Sequence, residues 1–200
     1  MPRVNVLPMV VVSWIAMALR RALTPLGLAL ALAAGVSPSV QAQGVELPTI
    51  AARRQDGGVV LDVVANLALG KAVEDALRRG VPVYFVAEAT VYRPRWYWRD
   101  EKVARVARSW RLSFQPLTSA WRVSLGGFSQ SYGSLEEAMT TITRLAHWKI
   151  AEAGTVDAED KYYVEFSYRL DASQLPRPMQ LDLAAQADWH IAVERTVKVD

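Results

Sequence analysis

The sequence predicts an α+β fold: a mainly antiparallel β-sheet or sandwich carrying two helices. Most segments alternate apolar and polar residues with a period of two. Only two stretches, 71–79 and 135–150, repeat apolar residues at helical spacing. The strands follow one another without the regular β-α alternation that a parallel sheet needs, and the predicted order is β-α-β-β-β-α-β-β-β. One globular domain is expected over residues 59–200.

The chain begins with a leader. Met17 to Ala42 starts with Arg20 and Arg21, continues through an apolar core from Ala22 to Val36 broken only by Thr24 and Pro25, and ends on Val40 and Ala42 before Gln43. This is the pattern of a secretory signal peptide, with cleavage expected between Ala42 and Gln43. It predicts an exported protein of a Gram-negative periplasm. A second apolar run, VLPMVVVSWIAMAL, precedes the arginines, and translation from Met17 is the simplest reading of it. The neighbours of Arg20 and Arg21 lack the polar and aromatic residues of a twin-arginine export signal. The alternative is an uncleaved inner-membrane anchor, although Val4–Leu19 and Ala22–Val36 each fall short of the ~18–20 apolar residues that span a bilayer.

The segment 43–58 reads as polar and flexible and ends in the Asp56-Gly57-Gly58 turn signal. From Val59 to Leu69 the odd positions are all apolar, which predicts a strand with one buried face. Lys71 to Arg79 gathers Val73, Ala76 and Leu77 on one side of a short helix that stops at Gly80. Val81 to Tyr92 alternates as a second strand. Asp100 to Phe114 is a third, with Ala104, Val106, Trp110, Leu112 and Phe114 on one face interrupted by Arg108, and Arg105 and Arg111 on the other. Trp121, Val123 and Leu125 begin a fourth, and Gly126-Gly127 marks a hairpin turn or bulge.

Ser134 with Glu137 matches a capping box, and Leu135, Ala138, Met139, Ile142, Leu145 and Ala146 continue a helix to about Ile150. Tyr162 to Leu170 alternates as a strand. Asp171 to Pro178 is a loop, since its two prolines do not fit a central strand. Met179–Ala185 and Trp189–Val199 are expected to close the fold as a hairpin.

Charge narrows the function classes. Residues 1–42 contribute Arg3, Arg20 and Arg21 and no acid to the chain's 23 basic and 20 acidic residues, so the remainder carries 20 of each. Nucleic-acid binding needs a strong positive field over the domain, and a neutral domain lacks it. The chain has no cysteine, which removes disulfides, thiol nucleophiles and cysteine-based zinc sites. No cofactor and no metal is expected.

No catalytic set is legible. Gly127-Phe128-Ser129-Gln130-Ser131 comes nearest to a nucleophile elbow, but Ser131 stands where the motif needs glycine. The two histidines are His147, placed late in the second helix, and His190, placed in a strand. Structural roles account for both. Asp157, Glu159 and Asp160 read as a solvated acidic turn in preference to a calcium loop.

The most distinctive composition lies between Arg93 and Arg122. Eight basic residues stand there against Asp100 and Glu101, interleaved with Trp96, Tyr97, Trp98, Trp110 and Trp121. Arginine among aromatic residues binds phosphate or carboxylate groups and stacks on flat surfaces. Arg95, Trp96, Trp98, Arg99, Arg105 and Arg111 are therefore the candidate binding residues. The competing reading is a solvated sheet face whose arginines pair with the protein's own acids, supplied by the acid-rich stretch after Val123. Strand alternation sends Tyr97 opposite to Trp96 and Trp98, so part of this trio is expected to stay exposed.

Several segments resemble an uncharacterised proteobacterial family, domain of unknown function 4390. They are Gly80-Val81-Pro82-Val83 with Phe85, Arg95-Trp96-Tyr97-Trp98-Arg99-Asp100, Ser134-Leu135-Glu136-Glu137-Ala138, Arg169-Leu170-Asp171-Ala172-Ser173-Gln174-Leu175-Pro176-Arg177-Pro178, and Asp188-Trp189. The resemblance spans about Val59 to Arg195 and implies export and a single domain, with no activity attached. The reading it leaves is a non-enzymatic envelope module that binds an envelope protein, an anionic lipid or a cell-wall group. An envelope-polymer hydrolase and a membrane-anchored structural protein are the alternatives.

Overall fold

A computed structural model describes residues 45–175 and 186–200. Nine strands and two helices are described, in the order β1 (Val45–Gln55), β2 (Gly58–Leu67), α1 (Lys71–Arg78), β3 (Val83–Arg93), β4 (Glu101–Gln115), β5 (Ala120–Leu125), β6 (Phe128–Tyr132), α2 (Leu135–Thr143), β7 (Arg144–Ala151), β8 (Tyr163–Leu170) and β9 (Ala192–Lys198). They form a three-stranded sheet, β1-β2-β7, and a six-stranded sheet, β6-β5-β4-β3-β8-β9. All pairings within the two sheets are antiparallel, as expected for the α+β class.

The chain end joins the sheets. Arg54 N–H donates to the Asp200 carbonyl at 3.0 Å, and Asp200 N–H donates to the Ala52 carbonyl at 3.1 Å. On the other side α2, the connection between β6 and β7, packs against β2, β5, β6 and β7. The core lies between the sheets. Val83, Phe85, Ala87, Ala89 and Val91 of β3 bury one face, and Leu61 and Val63 of β2 with Leu145, Trp148 and Ile150 of β7 belong to the same cluster.

The segment 43–58, expected to be irregular, contains β1. Asp56 and Gly57, with φ of 52° and 73°, turn β1 into β2. Two consecutive positive φ values match the right-handed twist of flanking strands, which is why Asp-Gly suits this turn. The strand escapes the periodicity test because Pro48 and a register shift between Glu46 and Thr49 break its alternation. Gly58 is required for a second reason: a Cβ there would meet the Ala151 carbonyl at 2.4 Å.

The second helix starts as expected. Ser134 Oγ accepts Glu137 N–H at 3.2 Å, while Glu137 Oε2 accepts Gly133 N–H at 3.3 Å. It ends at Thr143, and residues 144–151 are a strand instead of the helix expected to Ile150. A β-bulge explains the difference. Leu61 faces Trp148 and Val63 faces Leu145, so Ala146 and His147 together oppose Asp62. The extra residue puts Leu145 and Trp148 three apart on one buried face, and that spacing imitates a helix. His147 therefore sits in a bulge at φ 49°. Trp189 and His190 also leave the expected strand: residues 187–189 form a 3-10 turn, and β9 begins at Ala192. The expected strand Met179–Ala185 lies outside the described residues.

Candidate functional site: the β3–β4 hairpin

β3 stops at Arg93 because Pro94 has no N–H to continue the ladder. β4 begins at Glu101, the register partner of Arg93. Residues 94–100 thus form a hairpin tip beyond the last strand pair.

The base of the hairpin is fixed by converging polar groups. Glu101 Oε2 accepts Arg93 Nε at 2.9 Å and Arg95 Nη2 at 2.5 Å. Arg93 Nη1 also donates to Asp160 Oδ2 at 2.9 Å, from a loop 67 residues away in the chain. Asp100 accepts Arg95 N–H at 3.1 Å on one oxygen and the Tyr163 hydroxyl at 2.7 Å on the other. Tyr163 stacks on Tyr92 of β3 with ring centroids 5.3 Å apart. These contacts set the local acid–base chemistry. Arg93, then Arg95, holds Glu101 below its ordinary value. The Tyr163 hydroxyl, then the Arg95 N–H, lowers Asp100. Asp100 in turn pushes the Tyr163 phenol up to about 12. Single exposed ion pairs contribute little, but several groups sharing two carboxylates define one geometry.

On this base stand three bare rings. Trp96 is 95% exposed, Tyr97 67% and Trp98 75%. Trp96 and Tyr97 meet edge to face at 5.1 Å, an arrangement aromatic quadrupoles favour. The expected alternation does not operate here, because the trio lies in a turn and not in a strand. Arg99 is exposed beside them. It lines a hollow of about 410 Å³ with Tyr92, Asp100, Lys102, Tyr163 and Glu165.

The other candidate arginines lie elsewhere. Arg105 is on the outer face of the six-stranded sheet, where Nε and Nη2 bind the two Glu88 oxygens at 2.8 Å each. This bidentate pair lowers Glu88 and raises Arg105. Arg105 borders a groove of about 460 Å³ whose walls mix Lys102 and Arg195 with Glu88, Glu165 and Glu194. Arg111 is exposed six residues further along β4, roughly 20 Å away at ~3.4 Å per residue. It makes no ion pair among the described residues. The six candidates therefore divide: Arg95, Trp96, Trp98 and Arg99 share the hairpin, while Arg105 and Arg111 are spread along the sheet face. Arg93, Arg95 and Arg105 do pair with the protein's own acids. Glu88 and Glu101 are nearby acids, and Asp160 comes from the acid-rich downstream stretch. Ala42 and Gln43 lie outside the described residues.

Three other sequence features resolve into structure. Arg108 points into the core side of β4 and lies over the Trp148 ring at 5.1 Å, and burial pushes its guanidinium down. The acidic turn receives Arg54, which donates to the Asp157 carbonyl at 2.6 Å and to the Asp160 carbonyl. His190 Nδ1 lies 3.1 Å from the Gln186 carbonyl. Sequence reasoning missed Tyr163 and Asp160, whose link to the hairpin is made by folding alone.

Fold and site together define an α+β domain of two antiparallel sheets that presents a braced, cationic aromatic hairpin. Residues 42–198 match the family described as Domain of unknown function (DUF4390), and the chain belongs to that family. No curated protein and no solved structure matches it. Two of the segments that suggested the family have visible structural work. Asp171 accepts Ser173 N–H at 3.2 Å, Ser173 Oγ at 2.6 Å and Gln174 Nε2 at 3.4 Å, which locks the turn after β8. Asp188 Oδ2 accepts Ala72 N–H at 3.1 Å and so caps α1 from 116 residues away. Gly70, the residue before α1, leaves room for it: a Cβ there would meet Asp188 Cγ at 2.4 Å.

Proposed function

We propose that this chain is an exported, non-enzymatic binding module of the cell envelope that engages its partner through the β3–β4 hairpin tip. The observation that carries the reading is the trio Trp96, Tyr97 and Trp98, exposed on a base held by Arg93, Arg95, Asp100, Glu101, Asp160 and Tyr163. Folding gains nothing from leaving three aromatic rings in water, whereas a contact surface gains large area with few rotatable bonds. Bracing the base reduces the ordering cost of binding. Export is supported by the leader pattern from Met17 to Ala42 and by the start of the family match at residue 42.

The test is affinity capture of the tagged protein from intact envelopes, beside a variant carrying Trp96→Ala, Trp98→Ala and Arg99→Ala. The expected result is a partner held by the unaltered protein and lost from the variant, with circular dichroism and Tm unchanged. Identical captures from both proteins would refute the reading.

A further inference from the structure

Resting on that reading, we infer that the hairpin's partner is the headgroup layer of an anionic lipid membrane, entered by Trp96, Tyr97 and Trp98. The first reason is shape. Trp96 at 95% exposure is almost as open as in an isolated peptide, and the trio occupies a protruding turn beyond the last strand pair. Protein hot spots sit in packed pockets with a sheltering rim. Rings standing free on a convex tip are best covered by a deformable medium. The second reason is ring chemistry: Trp and Tyr settle at membrane–water interfaces, where an apolar body and a polar edge are both satisfied.

The third reason is charge. Arg99 and Lys102 flank the tip, are exposed, and make no ion pair among the described residues. Of the acids beside them, Glu101 is held by Arg93 and Arg95 and Asp100 by Tyr163 and the Arg95 N–H, while Glu165 of β8 lines the hollow below the tip with both cations. The surface left to a partner at the tip is aromatic and cationic, which complements lipid phosphates under an interfacial layer.

The test uses the full chain and vesicles of phosphatidylcholine, with or without phosphatidylglycerol, carrying acyl chains brominated near the headgroup. Tryptophan quenching is compared between the unaltered chain and the Trp96→Ala/Trp98→Ala variant. The expected result is quenching on anionic vesicles that the variant largely loses, with vesicle affinity weakened roughly tenfold or more. Arg99→Glu/Lys102→Glu is expected to reduce quenching at low salt. A leader inserted in the same vesicles adds the same absolute loss of emission, from Trp14, to both chains. An equal absolute loss of emission in the unaltered chain and the double variant would overturn the lipid assignment. If the envelope capture still yields a protein that the tip variant loses, the binding-module reading stands and only the lipid assignment falls.

Discussion

His147 holds a backbone conformation that β-branched residues avoid, at φ 49°, while its N–H donates to Asp62 Oδ1 at 2.8 Å. A left-handed residue with a Cβ costs about 1–2 kcal/mol. His147 already bears that cost, so His147→Gly should hold or raise stability, whereas His147→Val adds a branched Cβ and should lower it, as urea denaturation would show. Asp188 makes a second single-residue case. Asp188→Ala leaves Ala72 N–H without its acceptor and should cost about 1 kcal/mol. Gly70→Ala displaces the same carboxylate, so the double variant should cost less than the sum of the singles. The carboxylates at the hairpin base give a pH dependence. Glu101 titrates below its ordinary 4.5 in the folded chain. Its contribution is complete above that value and is lost as pH falls through the lower folded value. Hydrogen-exchange protection at the amides of residues 95–100, taken relative to the intrinsic rate at each pH, should fall on acidification from about pH 6 to about pH 3 before that of the core amides.

At the scale of elements, the sequence is transparent where one rule acts alone. β3 and β8 alternate without interruption, and both lie where periodicity puts them. The start of α2 is a local device, so Ser134→Ala should cost about 1 kcal/mol, measurable as a fall in Tm. The end of α2 is hidden because the β7 bulge keeps Leu145 and Trp148 at helical spacing. β1 is hidden because Pro48 and its register shift interrupt the alternation, while its pairing with β2 decides its conformation. The candidate site divides in the same way. Exposure of part of Trp96-Tyr97-Trp98 was legible, since three adjacent aromatics cannot share one buried face. The brace was not, because Asp160 and Tyr163 stand 67 and 63 residues from their partners Arg93 and Asp100. The separation of Arg111 from the tip was also illegible from composition, which counts charges without placing them. Glu101→Gln should loosen the tip and weaken partner binding while the core keeps its hydrogen-exchange protection, a split that a purely structural role would not produce.

For the whole molecule, the two sheets act as a rigid mount. The apolar faces of β2, β3, β7 and β8 meet in one core, and the long β3–β4 pair carries the hairpin out from it. The core holds the fold, and the rings of Trp96, Tyr97 and Trp98 stand outside it. Replacing Trp96 and Trp98 with alanine should change global stability by less than ~0.5 kcal/mol, even though two of the chain's 7 tryptophans are removed. The central claim is that the molecule meets its partner at this tip. The most direct measurement places a photo-crosslinking amino acid at position 98 in intact cells, with a matched control at Ser129 on the β6 edge. A specific protein or lipid adduct from position 98 and none from Ser129 is the predicted result. No adduct from position 98, or the same adducts from both positions, would contradict the account.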